Sequence, residues 1–129
     1  MPYVVPAEGE AQILRRVTSA PITVCLFVND VKLTRELKSS DLKEARGFGY
    51  APVTLEPGGW MFVEGVASHP PVAIEFTGPI GLVYGYALKQ NGVLLVAHRF
   101  PDEPIKIRFK GDSIKVTPIL RHKRPAAGK

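Results

Sequence analysis

The stretch from Gly81 to Leu120 limits what this chain can fold into more than any other. Leu82–Leu88 and Val93–Arg99 are apolar runs joined by Lys89-Gln90-Asn91-Gly92, and Asn-Gly between two such runs is a strong hairpin signal. Ile105–Lys110 alternates without a fault, with Ile105, Ile107 and Phe109 on one side and Lys106, Arg108 and Lys110 on the other. Gly111-Asp112 turns the chain again, and Ser113–Thr117 completes a predicted four-stranded meander. The first two of these strands are apolar on both faces, so both faces need cover. One cover is an opposing sheet. The other must come from the N-terminal helix, from residues 31–47 or from another subunit.

The rest of the chain reads as packing around this sheet. Residues 1–7 are extended, because Pro2 and Pro6 oppose an early helix. Glu8–Val17 is the one convincing helix. Ala11, Ile13, Leu14 and Val17 form its apolar stripe, with acids at its start and Arg15 and Arg16 at its end, an order that suits the helix dipole. Ile22–Val28 is an apolar strand closed by Asn29-Asp30. Residues 31–47 form a long polar loop with one helical turn expected at Asp41–Ala45, and unstructured loops of that length often make contacts. Val53–Leu55, Trp60–Glu64 and Val72–Phe76 follow as strands, separated by turns rich in Pro and Gly. Roughly eight strands at spacings of about ten to twelve residues predict an all-β fold, a β-sandwich or jelly roll, with a closed barrel as the alternative.

A chain of 129 residues with 45% hydrophobic content is long enough for one domain with a real core. The net charge of +5 suggests a nucleic-acid partner until it is located. Residues 1–120 hold thirteen basic and twelve acidic groups, so the predicted domain is near neutral. The basicity belongs to residues 121–129, a stretch without core-forming side chains that is expected to be a flexible tail with weak, salt-dependent nucleic-acid contacts at most. The opening Met1-Pro2-Tyr3 lacks the pattern of a secretory signal, and no uncharged run reaches the length of a membrane span. Synthesis in the cytoplasm and no membrane partner are therefore expected.

No stretch carries a catalytic or cofactor signature. Gly47-x-Gly49 and Gly78-x-x-Gly81 read as turn glycines, since neither joins a strand to a phosphate-binding helix. His69, His98 and His122 lack the spacing of a local metal site. His98 is expected half-buried on its strand, and the bond between His69 and Pro70 is open to either isomer. Glu56, Glu64 and Glu75 are the carboxylates near the central strands and read as solvent-facing. The lone Cys25 sits in an apolar strand and reads as a small buried hydrophobe. Lys106, Arg108 and Lys110, extended by Lys115, make a basic face. With Phe109 inward, that face offers no ring for stacking bases. Tyr50, Trp60, Tyr84 and Tyr86 read as core or interface residues before they read as a sugar platform.

Several segments together point to a family. They are Val4-Val5-Pro6-x-Glu8-Gly9-Glu10-Ala11, Asp41-Leu42-x-Glu44-Ala45 leading to Phe48-Gly49-Tyr50-Ala51, Val83-Tyr84-Gly85-Tyr86, Arg99-Phe100 and Ile114-Lys115-Val116-Thr117-Pro118. In this the chain resembles small virion proteins of tailed bacteriophages and cyanophages, of the capsid cement or decoration type. The resemblance covers about residues 3–119 and leaves out the basic tail. It implies a β-sandwich on the capsid surface that needs no cofactor, bridges copies of the major capsid protein and self-associates as a dimer or trimer. Two other roles stay open beside it, a virion adhesin or carbohydrate-binding module, and a tail or baseplate component. The segments free to make contacts would be the arm and helix (Val4, Val5, Glu8, Leu14, Arg15) and the polar loop (Arg35, Lys38, Lys43). The basic face (Lys106, Arg108, Lys110) and the tail (Arg121, Lys123, Arg124) complete the set.

Overall fold

The structure, a computed structural model, describes residues 3–63, 65–101 and 103–121. It is an all-β fold with one short helix. The elements run α1 (Ala7–Val17), β1 (Ile22–Phe27), a 3-10 turn (Ser39–Asp41), β2 (Val53–Leu55), β3 (Met61–Val63), β4 (Val66–Ser68), β5 (Val72–Glu75) and β6 (Gly81–Val83). Then come β7 (Gly85–Gln90), β8 (Val93–Arg99), β9 (Ile105–Ile107), β10 (Ser113–Val116) and β11 (Ile119–Arg121). The strands divide into a four-stranded sheet ordered β2-β1-β7-β8, a three-stranded sheet β11-β4-β3, and the pairs β10-β5 and β6-β9. All pairings are antiparallel, and they do not by themselves define the two sheets of a jelly roll.

The predicted meander is replaced by a nested ribbon. β7 and β8 form the expected hairpin, and Asn91 and Gly92 both take positive φ (53° and 78°), as a type I′ turn requires. Beyond the hairpin, consecutive strands do not pair with each other. β9 pairs with β6, β10 with β5 and β11 with β4, each strand reaching one step further back along the chain. Single backbone bonds carry the ladder across the gaps: Phe100 N–H to Tyr84 O (3.0 Å), Ile80 N–H to Ile107 O (3.1 Å), Gly111 N–H to Phe76 O (2.8 Å) and His69 N–H to Pro118 O (3.0 Å). Pro101 and Pro104 have no N–H to donate, so the chain leaving β8 cannot turn straight back along it.

Two more local expectations change. The alternation over Ile105–Lys110 does not make a six-residue strand. β9 stops at Ile107 because the Asp112 carboxylate accepts the N–H groups of Arg108 (2.9 Å) and Phe109 (3.0 Å) and curls the chain. Phe109, expected inward, is 66% exposed. The run Trp60–Glu64 hides a hairpin: β3 turns at Gly65, where φ is +79°, and returns as β4 with Val63 opposite Val66.

The helix matches its expected span, with Glu8 and Glu10 in its first turn and Arg15 and Arg16 in its last. Its end is fixed twice. Thr18 Oγ1 donates to Leu14 O (2.9 Å), and the Gln90 side chain donates to Val17 O (2.8 Å) from the β7–β8 hairpin. Leu14 joins the main core with Ile22, Val24, Leu26, Leu55, Trp60, Phe76 and Leu88. At the start of β7 the backbones come closer than a side chain allows. A Cβ on Gly85 would collide with the His98 carbonyl and lie 2.7 Å from Phe27 Cζ and 2.9 Å from Arg99 Cα. Gly85→Ala is expected to cost about 3 kcal/mol through this overpacking. A thermal melt of the variant that matches wild type would show that the two strands can move apart there without penalty.

Candidate functional site

The polar loop turns out to be a cover. Residues 43–45 run along β1 beyond the end of β2: Val28 N–H donates to Lys43 O (2.8 Å), Ala45 N–H donates to Leu26 O (2.9 Å), and Phe27 bridges Glu44. Leu42 is buried there with Cys25, Phe27 and Ala87, and Val31, Leu37, Leu94 and Ala97 pack around them. This second small core closes the outer face of β1, β7 and β8. The cover predicted for that face is therefore residues 31–42 of the same chain. The helical turn expected at Asp41–Ala45 falls earlier, at Ser39–Asp41, where the Asp41 carboxylate accepts the Lys38 N–H (2.9 Å). Lys43–Ala45 stay extended because β1 uses their backbone groups.

Polar clips hold the cover in place. Asn29 bonds the returning chain twice, through Nδ2 to Asp41 O and Oδ1 to Lys43 N–H, both at 2.9 Å. Arg99 of β8 reaches over the Tyr84 ring to Asp30 (2.6 Å) and Val31 O (2.9 Å). The Tyr50 hydroxyl donates to Glu44 Oε2 (2.6 Å) and accepts the Leu26 N–H (3.1 Å), while its ring stacks on Phe76 at 6.3 Å between centroids. Burial, followed by the bond to Glu44, pushes the Tyr50 hydroxyl well above its ordinary range, so it stays a donor.

The structure scatters the contact residues predicted from sequence. Val4 is 80% exposed and Glu8 is exposed, whereas Val5 is half-buried. Leu14, expected to be available for contact, is 3% exposed: it points into the core, and its place on the helix serves packing. Arg15 lies over the Phe62 ring at 4.6 Å. Arg35, Lys38 and Lys43 are exposed on the outside of the cover. Lys106, Arg108 and Lys110 are exposed but do not share one strand face, since the last two sit on the turn after β9. Arg121 is exposed at the end of β11, and Lys123 and Arg124 lie outside the described residues.

Other candidates resolve one by one. Trp60 and Tyr86 are buried, which removes them from any sugar platform. Glu56 and Glu75 are exposed, and Glu64 lies outside the described residues. His98, expected half-buried, is exposed beside the Tyr86 ring, and His69 packs edge-on against Trp60 at 5.4 Å with a trans bond to Pro70. Cys25 is buried as expected. Burial pushes its thiol up to about 11, against an opposing pull from Lys89. Among the described residues, no group of three His, Cys, Asp or Glu side chains converges as a metal site would require.

Sequence reasoning missed the exposed rings. Besides Phe109, Phe48 is exposed and has φ of +49°, a strained value for a bulky residue that costs on the order of 1–3 kcal/mol. Its ring lies against Gly78, its carbonyl accepts the Thr77 N–H (2.7 Å), and the Gly47–Tyr50 turn closes on a 3.0 Å bond. The flanking Gly-x-Gly was a legible signal for a tight turn, but which way the ring points was not.

Comparison with protein-family models, with curated proteins and with solved structures finds no match to this chain.

Two outcomes are expected at this cover. Tyr50→Phe leaves a part-buried N–H and a carboxylate without their partner, and should lower stability by about 1–3 kcal/mol in urea denaturation. No change would mean that water replaces the hydroxyl. The Cys25 thiol has a raised folded value, so its contribution is complete below about 9 and lost as pH rises toward about 11. Relative to Cys25→Ala, wild type should lose about 1–2 kcal/mol between about pH 8.5 and 10.5. Parallel pH profiles would show that the thiol ionises freely in the folded state.

Proposed function

We propose that this chain is a non-enzymatic structural protein of a phage virion, specifically a cement or decoration protein. It sits on the capsid surface and bridges neighbouring copies of the major capsid protein. The observation that carries the reading is the N-terminal arm. Tyr3 is 88% and Val4 80% exposed, ahead of a helix anchored by Leu14, Thr18 and Gln90. The arm lies in the same opening segment that resembles virion proteins, Val4 to Ala11. Apolar side chains held in water at the end of a fixed helix gain free energy when a neighbouring protein covers them. One such contact is weak. Repeated over a symmetric shell and linked through self-association, many of them hold by avidity. Exposed Met61 and Val63 on the edge strand β3 offer a second apolar strip for the same purpose.

The deciding experiment is electron microscopy of intact particles. Regular density for this chain on the shell is expected, and its absence from purified virions would sink the reading. A truncation separates the arm from the fold, provided that it ends at Val4, since Pro6 O accepts the Glu10 N–H at the helix start and Val5 is half-buried. Cutting at Val17 would remove Leu14 from the core as well. A chain starting at Val5 should keep its melting temperature and lose at least about tenfold in attachment to particles lacking it. Undiminished attachment would move the contact to another surface.

A further inference from the structure

Two turns present exposed aromatic rings beside cations, and both are fastened to the same pair of residues. Gly111 N–H bonds Phe76 O, which holds the turn carrying Arg108, Phe109 and Lys110. Thr77 N–H bonds Phe48 O, which holds the turn that follows Arg46. The two bonds leave from the C=O and the N–H of the one trans peptide unit between Phe76 and Thr77, which point apart, so the two turns lie on opposite sides of it. Arg46, Arg108 and Lys110 are all exposed. Of the nearby acids, Asp112 is committed to the N–H groups of Arg108 and Phe109, which hold its carboxyl below its ordinary range, and Glu75 is exposed.

Neither ring is placed by core packing alone. Phe109 is mostly in water, on a turn made rigid by Asp112. Phe48 keeps a left-handed backbone that Asn or Gly would adopt at less cost, and its ring stays half in solvent. Strain maintained at an exposed side chain points to something outside the chain that uses it. Flat rings interleaved with cations fit a ligand that combines flat rings with anionic charge.

We propose that Phe48 and Phe109 form a stacking platform for unpaired bases of a single-stranded nucleic acid, with Arg46, Arg108 and Lys110 contacting its phosphates. The binding is sequence-tolerant, because every base has a face to stack. It does not depend on the virion reading, and the basic tail is not its source.

The test is fluorescence anisotropy with a labelled oligo-dT of about 15 nucleotides at about 50 mM salt. The protein is the full chain carrying Lys123→Gln and Arg124→Gln, which lowers the tail's charge. Binding is expected to persist in that background and to weaken about five- to thirty-fold in Phe109→Ala. Phe48→Asn should weaken it similarly without lowering the melting temperature, which separates use of the ring from packing. Arg108→Ala should reduce the salt slope by about one. A duplex of equal length should bind less tightly than the single strand. The proposal is overturned by loss of binding in the tail variant, by ring variants with wild-type affinity, or by equal affinity for duplex. Ring variants that detach the chain from particles while keeping oligonucleotide affinity would also overturn it, and would assign the surface to protein docking.

Discussion

Strand β7 carries apolar side chains toward both faces of its sheet, and the rest of the molecule is arranged to keep both away from water. On one face Leu88 and Tyr86 meet the main core built from α1, β4, β5 and β10. On the other, Ala87 meets Leu42 of the covering loop. Covering both faces is expensive in chain length, and residues 28–45 are spent on it. That explains why so polar a segment lies flat on the sheet. Of its apolar residues Val31, Leu37 and Leu42 point inward and Leu33 stays exposed, while Lys32, Arg35 and Lys38 face solvent. The loop's clips, Asn29 and Arg99, are hydrogen bonds to backbone carbonyls that an exposed loop would otherwise give to water.

Much of this was legible in the sequence because local chemistry decided it. Asn91-Gly92 admits the positive φ values of a hairpin, the charge order of Glu8 to Arg16 suits a helix, and the apolar run Ile22–Phe27 makes a buried strand. What could not be read was which strands pair at long range. The eye joins Val93–Arg99 to Ile105–Lys110 because they are adjacent, yet β9 finds β6 across some twenty residues. A single carboxylate, Asp112, defeated the cleanest alternation in the chain by bonding two backbone N–H groups. Its effect reached the candidate site, since it turned Phe109 from a core residue into a surface one. Val4 and Glu8 are exposed and Leu14 is not, a difference the sequence hides because one side of a short helix looks much like another until its partner sheet is known.

Among the described residues, several polar groups are committed to the chain's own structure. Tyr50, Glu44 and Asp30 all bond neighbouring parts of the chain, and Cys25 is buried. The surface carries apolar area (Tyr3, Val4, Met61, Phe48 and Phe109) and cations (Arg108 and Lys110), beside acids such as Glu8, Glu56 and Glu75. Aromatic, Met and Arg side chains are the ones that gain most when a partner covers them.

The nested ribbon has a consequence for how the chain reaches its fold. Each rung beyond Asn91-Gly92 encloses the one before it, so β7–β8 can form as an isolated hairpin, then β6–β9, β5–β10 and β4–β11 in turn. Closing the outermost rung from the unfolded chain would mean closing a loop of more than fifty residues. Once the inner rungs exist, only a few residues separate each new rung from the last, and the closure entropy is mostly already met. The ribbon therefore has a natural order of assembly, from its tip outward. In that order its far end, where β11 meets β4, is the last rung to close.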